Sequence, residues 1–428
     1  MFGGMKVEIV TVGDELLLGD TINGNAAWLG QRLAGAGLTV TRSVVVADEL
    51  EAIVDAVTSA LERADAVITT GGLGPTSDDV TRDALALAAG VGLRRDPVVE
   101  ARLRERAAAR GVTLRPMALR MADVPEGAGL LINSVGSAPG LRVELPGGTV
   151  YALPGVPHEM REITDAGVLP LLRPSGPVPA RRTLRTAGVW ETILAERLAP
   201  VEALDGVTLA YLPDPAEVKV RITATGPEAA LTLQGAEELA RDLLGDVVYG
   251  SGEETLDRVV HRLLGERGQS VAVAESLTGG LLGAELTRMP GSSATFAGGV
   301  VAYETGLKAS LLGVPEELLA THGAVHPEVA AAMAAGVRDR LGATYGLAVT
   351  GVAGPEAQDG HAVGTVHVAV AGPGGSVRRS RPRLAVAGKG PAVRGLIRRM
   401  TVVHALDLLR RDIMGLDAVR EWSDDRDS

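Results

Sequence analysis

A chain of 428 residues exceeds what one ordinary core organises, so two or three domains are expected. With 46% hydrophobic and 22% charged residues, it has the composition expected of a soluble globular protein rather than a disordered one. A formal charge of −11 with 2% aromatic residues argues against direct nucleic-acid binding, and the absence of cysteine excludes disulfides, thiolate nucleophiles and cysteine-ligated metals.

The opening, MFGGMKVEIV, lacks a basic segment followed by an apolar one. No apolar run approaches the roughly 18 residues that span a bilayer. A cytoplasmic protein without a membrane partner is the expectation. VEIVTV (7–12), LTVTRSVVV (38–46) and DAVITT (65–70) read as strands, with helical spacing over 23–34 and 49–63. That alternation predicts a parallel sheet covered by helices. LRVEL and TVYAL flank Pro146-Gly147-Gly148 as a hairpin, and Pro154-Gly155-Val156-Pro157 turns into a helix.

RPSGPVPARR (173–182) reads as a linker. Strands near 183–188, 207–211, 217–225 and 246–249, with helices near 190–199 and 228–244, then follow the order βαββαβ of a split-βαβ sandwich. A last α/β unit has helices at 254–267, 280–288, 315–321, 327–341 and 391–413. Its strands fall at 271–274, 298–303, 346–350 and 364–371. The basic cluster Arg378-Arg379-Ser380-Arg381 reads as a solvated loop, and the acidic end as a tail. The domains expected are 1–173, 174–252 and 253–416, with 417–428 as the tail.

Three turns in the first domain leave strand ends on what should be one edge of the sheet. VGDELLLGD (12–20) carries Asp14 and Glu15, and LPGVPHEM (153–160) carries His158 and Glu159. TTGGLGPTSDDVT (69–81) carries Gly71, Gly72 and Gly74, whose amides suit a phosphate. Asp78 and Asp79 are candidates both for capping the next helix and for metal binding. Asp48 closes the second strand. Glycine amides and carboxylates in one cleft suit a phosphate ester bound with a divalent metal such as Mg²⁺.

In the last domain, VAVAESLTGG (271–280) forms a strand, a tight turn and a helix start. The turn delivers Glu275 and Ser276, beside amides able to stabilise an oxyanion. A plain β-to-α turn with Ser276 and Thr278 as capping residues is the competing interpretation.

GDELLLG with NGNAAWL, GGLGPTSDDVT and PGVPHEM resemble the amino-terminal half of the CinA family. AESLTGG, GSSATFAGGVVAYETGLKASLLGV (291–314), HGAVHPEVA (322–330) and VTGVAGP (349–355) continue the resemblance, which covers residues 5–410 in order. It implies a molybdopterin-binding-like fold of the MogA/MoaB type first, a small linking domain, and a nicotinamide-nucleotide amidase domain last. The implied activities are metal-dependent hydrolysis of ADP-ribose in the first domain and deamidation of nicotinamide mononucleotide in the last.

By motif match, Asp48 and Asp79 hold the metal, while Gly71, Gly72, Gly74, Asp14 and Glu15 surround the ligand. Ser276 is the nucleophile, Lys308 its base, and Tyr303 either a proton relay or a support for the lysine. Thr278, Gly279 and Gly280 supply amides, and Thr350, Gly351 and Gly354 form the facing wall. Glu275 either holds the turn or steadies the lysine. The amidase needs no cofactor, and the family implies a homodimer.

Two departures stand out. A family cysteine position is Leu277, and a family G-D-R-x-x-V-R run reads here from Gly388 to Arg394, with Gly390 in place of the first arginine. Lys389 and Arg394 remain for the phosphate, although a lysine is no bidentate clamp. The loop after AGP reads EAQDGHAVGT (356–365). The rival reading is a nucleotide- or pterin-binding scaffold, associated with competence and DNA damage, whose amidase chemistry is vestigial.

Overall fold

Val7, Ile9, Val10 and Val12 are all buried although they project to opposite sides of one strand, which requires a sheet covered on both faces. The computed structural model describes residues 5–172, 178–384, 386 and 390–417 and contains such a sheet. Its strands are β1 (Lys6–Val12), β2 (Thr39–Val46), β3 (Ala66–Thr70), β6 (Gly129–Leu131), β7 (Gly140–Leu145) and β8 (Gly148–Leu153), while β4 (Leu93–Arg95) and β5 (Asp123–Pro125) pair separately. The order is β2-β1-β3-β8-β7-β6. The first four run parallel, and β7 and β6 return antiparallel through the expected hairpin.

One face packs Val7, Ile9, Ile68 and Leu153 against Leu29 and Leu33 of helix Gly24–Gly35 and Met160 and Ile163 of helix Pro157–Ile163. The other packs Val10, Val12, Val67 and Val150 against helices Leu50–Leu61 and Thr81–Ala89. The elements between Leu93 and Leu131, including helix Pro97–Ala109, lie in a stretch for which the sequence pattern predicted nothing.

The chain forms two compact units. One runs to Pro179 and includes Thr225–Ala229; the other comprises Ala180–Ala224 and everything from Ala230 onward. The second unit holds two sheets. In the smaller, β9 (Ala180–Ala187), β10 (Val207–Asp214), β11 (Glu217–Ala224) and β12 (Val248–Ser251) lie in the order β10-β11-β9-β12 with all neighbours antiparallel. That is the split-βαβ arrangement expected. Buried Val218, Val220, Ile222 and Ala224 alternate with more exposed Lys219, Arg221 and Thr223, as a sheet covered on one face requires. Within this unit Arg410 and Arg411 of the last helix donate to Asp246, at 2.9 Å to its carbonyl and 2.7 Å to its carboxylate.

The larger sheet has the order β14-β13-β15-β16-β17, built from β13 (Val271–Glu275), β14 (Phe296–Val301), β15 (Tyr345–Gly351), β16 (Val366–Ala371) and β17 (Val377–Ser380). The first three are parallel and the last two antiparallel. Here an expectation fails. The basic cluster at 378–381 is not a solvated loop, because Val377–Ser380 is the edge strand. Its charges suit an edge, and Arg378 pairs with Asp412 at 3.1 Å while Arg379 pairs with Glu328. Helix Thr305–Leu312 was also absent from the sequence reading.

The two faces of this sheet differ in size of side chain. Val271, Val273, Leu347, Val349, Val368 and Val370 meet helices Leu256–Glu266 and Pro391–Met414. Ala272, Ala274, Ala348, Ala369 and Ala371 face helix Pro327–Leu341. Small side chains let that helix lie very close. A Cβ at Gly346 would stand 1.9 Å from the Ala334 carbonyl oxygen, and one at Gly336 would stand 1.8 Å from that of Leu312. Among the described residues no helix is long and apolar enough to cross a membrane.

Gly346→Ala should therefore cost about 1–3 kcal/mol through overpacking. Denaturant unfolding of the full chain measures it, and an unchanged midpoint would refute the close contact.

Candidate active site

In a parallel sheet the carboxyl ends of neighbouring strands share an edge. Glu275 is in register with Val301 on one side and Val349 on the other, so Ser276, Ala302 and Thr350 emerge together. Helix Thr305–Leu312 then brings Lys308 back over the edge. The result is a cavity of about 120 Å³ lined by Ser276, Leu277, Tyr303, Lys308, Thr350 and Arg394 among others.

Lys308 is fully buried, with Nζ 3.3 Å from Ser276 Oγ and donating to the Ala302 carbonyl at 2.8 Å. No carboxylate forms an ion pair with it among the described residues. Burial therefore pulls its pKa below the usual lysine range, opposed only by the more distant charge of Glu304. A neutral amine beside a hydroxyl is a general base placed against a nucleophile.

Glu275 is 1% exposed, and its carboxylate accepts from the amides of Gly280 (3.0 Å), Leu282 (3.1 Å) and Gly283 (2.8 Å). Of its two expected roles the structure places it in the first, holding the turn and capping helix Leu281–Thr287. The same bonds change which amides remain available. Gly280 donates to Glu275 and Gly279 to the Ser276 carbonyl at 3.1 Å. The Leu277 and Thr278 amides find no acceptor among the described residues. Leu277 thus enters the site through its backbone, which its side-chain identity gave no means of finding.

Tyr303 is exposed, and its hydroxyl accepts from Arg394 Nη2 at 2.7 Å rather than bonding Lys308. Arg394 also donates to the Gly354 carbonyl at 2.5 Å, fixing its guanidinium at the cavity wall. Thr350 spends its hydroxyl on the Ala324 carbonyl at 2.7 Å. Gly351 lines the cavity, and the residue is glycine because a Cβ there would stand 2.5 Å from Thr365 O. The EAQDGHAVGT loop adds Glu356 and Gln358 to the wall. Gly390 caps the last helix at φ 114°, a conformation that favours glycine over arginine. Lys389 lies outside the described residues.

The first unit has its own cavity at the strand ends, about 230 Å³, lined by Thr11, Glu15, Asn23, Asn25, Thr70 and Arg161 among others. Asn23 and Asn25 are oriented by bonds to Thr11 Oγ1 (3.0 Å) and Gly155 O (2.7 Å). Of the residues expected there, only Glu15 lines it. Gly71, Gly72 and Gly74 answer to their own turn: a Cβ on them would meet Val12 O at 2.2 Å, Thr81 Oγ1 at 2.1 Å and Asp79 Oδ2 at 2.4 Å.

Asp79 accepts from the Gly74 amide (2.7 Å), the Thr76 amide (2.8 Å) and the Thr76 hydroxyl (2.5 Å). The helix itself starts later, at Thr81. Buried Arg82, not singled out in the sequence, holds the same turn through the Leu73 carbonyl at 2.7 Å. Asp48 accepts from the Asp14 amide at 2.9 Å, and Asp14 accepts from the Asp48 amide at 3.3 Å. Burial raises the Asp48 pKa, with the charges of Asp14, Glu15 and Asp78 adding to the rise. Among the described residues no group of three or more carboxylate or imidazole side chains is placed to hold a metal ion. These side chains do not form a protein cage for a cation.

Glu275→Ala should remove three charge-assisted bonds and lower stability by about 2–4 kcal/mol. Thermal unfolding checks this, and wild-type stability would mean that the turn holds without its cap.

Three family models match the chain. "Probable molybdopterin binding domain" covers residues 8–174, "Damage-inducible protein CinA KH domain" 181–250, and "CinA C-terminal domain" 253–413. A CinA-like protein of Frankia casuarinae is 51% identical over 96% of this chain and 97% of its own length. One from Parasynechococcus marenigrum is 44% identical over 95% and 98%. The crystal structure of the protein CinA from Thermoplasma acidophilum is 41% identical, covering 38% of this chain and 94% of that one, with a TM-score of 0.36. With identity of this order sustained over nearly the whole length, the chain belongs to the CinA family.

Proposed function

We propose that the unit carrying Ser276 hydrolyses the carboxamide of nicotinamide mononucleotide to nicotinic acid mononucleotide and ammonia. The observation that carries this reading is the buried Lys308 amine 3.3 Å from Ser276 Oγ, with no carboxylate partner among the described residues. Lys308 takes the Ser276 proton as Oγ adds to the carboxamide carbon. The Leu277 and Thr278 amides receive the developing oxyanion. The lysine ammonium then protonates the departing nitrogen, so ammonia leaves and an acyl-serine remains. Water, deprotonated by the same amine, adds to the acyl carbon, and the proton returns to Oγ as the acid departs. Arg394, braced by Tyr303 and Gly354, offers the cavity's guanidinium to the nucleotide phosphate.

Ammonia release from nicotinamide mononucleotide tests the assignment. Ser276→Ala should lower kcat by about a thousandfold or more. Equal release from both proteins would remove Ser276 as nucleophile, and no release from either would favour the scaffold reading. The base works deprotonated, so kcat should rise with pH through the Lys308 pKa and fall away below it. Glu304 is the charge that opposes the downward shift. Glu304→Gln should therefore move that limb to lower pH, and an unmoved limb would assign it to another group.

For the first unit we propose hydrolysis of the ADP-ribose pyrophosphate bond, giving AMP and ribose 5-phosphate. The supporting observation is the cavity at the strand ends, where Asn23 caps helix Gly24–Gly35 and Arg161 adds a positive charge. A divalent cation of the Mg²⁺ kind would enter with the substrate, its shell completed by phosphate and water. Of the two expected ligands, Asp48 keeps one oxygen free for it among the described residues, whereas Asp79 spends both on its own turn, and neither lines the cavity. Turnover should be abolished by EDTA and fall about tenfold or more in Asp48→Asn; turnover indifferent to EDTA overturns the cation.

A further inference from the structure

Thr350, on the wall of the amidase cavity, pairs in register with His367 across β15 and β16. Beyond that pair lies a second cavity, about 360 Å³, lined by His326, His361, Thr365, His367, Arg379 and Arg381 among others, with no carboxylate in its lining. Nothing in the deamidation mechanism uses these residues.

His367 is 7% exposed, faces this cavity, and its ring makes no hydrogen bond among the described residues. Its ring nitrogens are left open to the cavity, where an acceptor on a ligand can pair with them. Arg381 likewise makes no hydrogen bond or ion pair among the described residues. His326 caps the fifteen-residue helix Pro327–Leu341, accepting from the Glu328 amide at Nδ1 (3.3 Å), which leaves Nε2 as the donor. Its ring stacks on His322 with centroids 4.2 Å apart.

The positive end of a helix, three imidazoles and two guanidiniums thus converge without a neutralising acid in the lining; Glu328 pairs with Arg379 at the rim. Burial pushes the His367 pKa down to about 4, assisted by Arg381, His326 and His361. His326 is lowered by burial and by His322, against Glu328, and then by His361 and Arg379. A bound anion would relieve that mutual repulsion. The imidazoles are not placed to chelate a metal ion.

We propose that this cavity is a second, non-catalytic anion site for a phosphate monoester, with His326, His361, His367 and Arg381 as its donors. Arginine and imidazole donors arranged around a helix end match a tetrahedral phosphoryl group, and the volume leaves room for the ester it carries. The assignment does not depend on whether Ser276 is a nucleophile.

The test titrates inorganic phosphate, and separately AMP, into the full chain while histidine ring signals are followed by NMR. The signals of His326, His361 and His367 should shift saturably. Affinity should fall about tenfold in the double variant His361→Ala/Arg381→Ala, two changes outside the core. The shifts should persist in Arg394→Ala, which strips the guanidinium from the amidase cavity. An affinity unchanged in the double variant, or shifts that vanish in Arg394→Ala, would overturn the proposal. AMP binding at least as tightly as phosphate supports the monoester, whereas phosphate binding with AMP excluded overturns that class.

Discussion

A lysine amine buried without a counter-ion among the described residues is the constraint around which the last domain is arranged. An ammonium taken from water needs a carboxylate or several strong acceptors to repay its hydration. Lys308 has one carbonyl, from Ala302, and the Ser276 hydroxyl. Under that balance burial lowers the Lys308 pKa, and a neutral amine at a hydroxyl is a base. The same argument explains why Glu275, only one residue away from Ser276, does no harm. Its carboxylate is turned to the helix amides of Gly280, Leu282 and Gly283 instead of to the lysine. Had it reached Nζ, it would have stabilised the ammonium and removed the base.

That geometry depends on packing some distance away. The sheet edge that gathers Ser276, Ala302 and Thr350 is set by three parallel strands in register. Their lower face is lined with alanine, and helix Pro327–Leu341 sits against it at the closeness that Gly346 permits, while Gly336 lets helix Thr305–Leu312 approach its other side. The N-terminus of that helix therefore falls beside the edge, and with it Ala324, whose carbonyl receives the Thr350 hydroxyl. Small residues in the core thus fix polar groups at the rim.

Much of this was legible in the sequence because strand and helix periods are strong signals where apolar runs are long. The three parallel strands, the closing helix and the split-βαβ order all follow from such runs. The stretch from Leu93 to Leu131 was not legible, since its strands have only three residues each and helix Pro97–Ala109 has no strong apolar stripe. Edge strand β17 was misread because arginines on an edge resemble arginines in a loop. At the site, Ser276, Lys308, Tyr303 and Arg394 were visible as residue types in motifs, and the structure brings them to one cavity. The Leu277 amide and the Ala302 carbonyl were not visible, because backbone groups carry no residue signature. The bond between Tyr303 and Arg394 spans 91 positions and could be found only in three dimensions.

The two glycine-rich turns, LTGG after β13 and GGLGPTSDD after β3, look alike as strings and share one physical solution. In each, a carboxylate folds back to satisfy amides of its own turn: Glu275 on Gly280, Leu282 and Gly283, Asp79 on Gly74 and Thr76. An amide bonded inside the protein cannot also hold a phosphate, and the amides of Gly71, Gly74, Gly279 and Gly280 are all bonded in this way. Other donors are left unengaged by those carboxylates. In the last domain these are the Leu277 and Thr278 amides and the braced Arg394. In the first they are the helix end capped by Asn23, the asparagine and threonine side chains, and Arg161. A carboxylate that rigidifies a turn so determines which neighbouring donors remain free for chemistry.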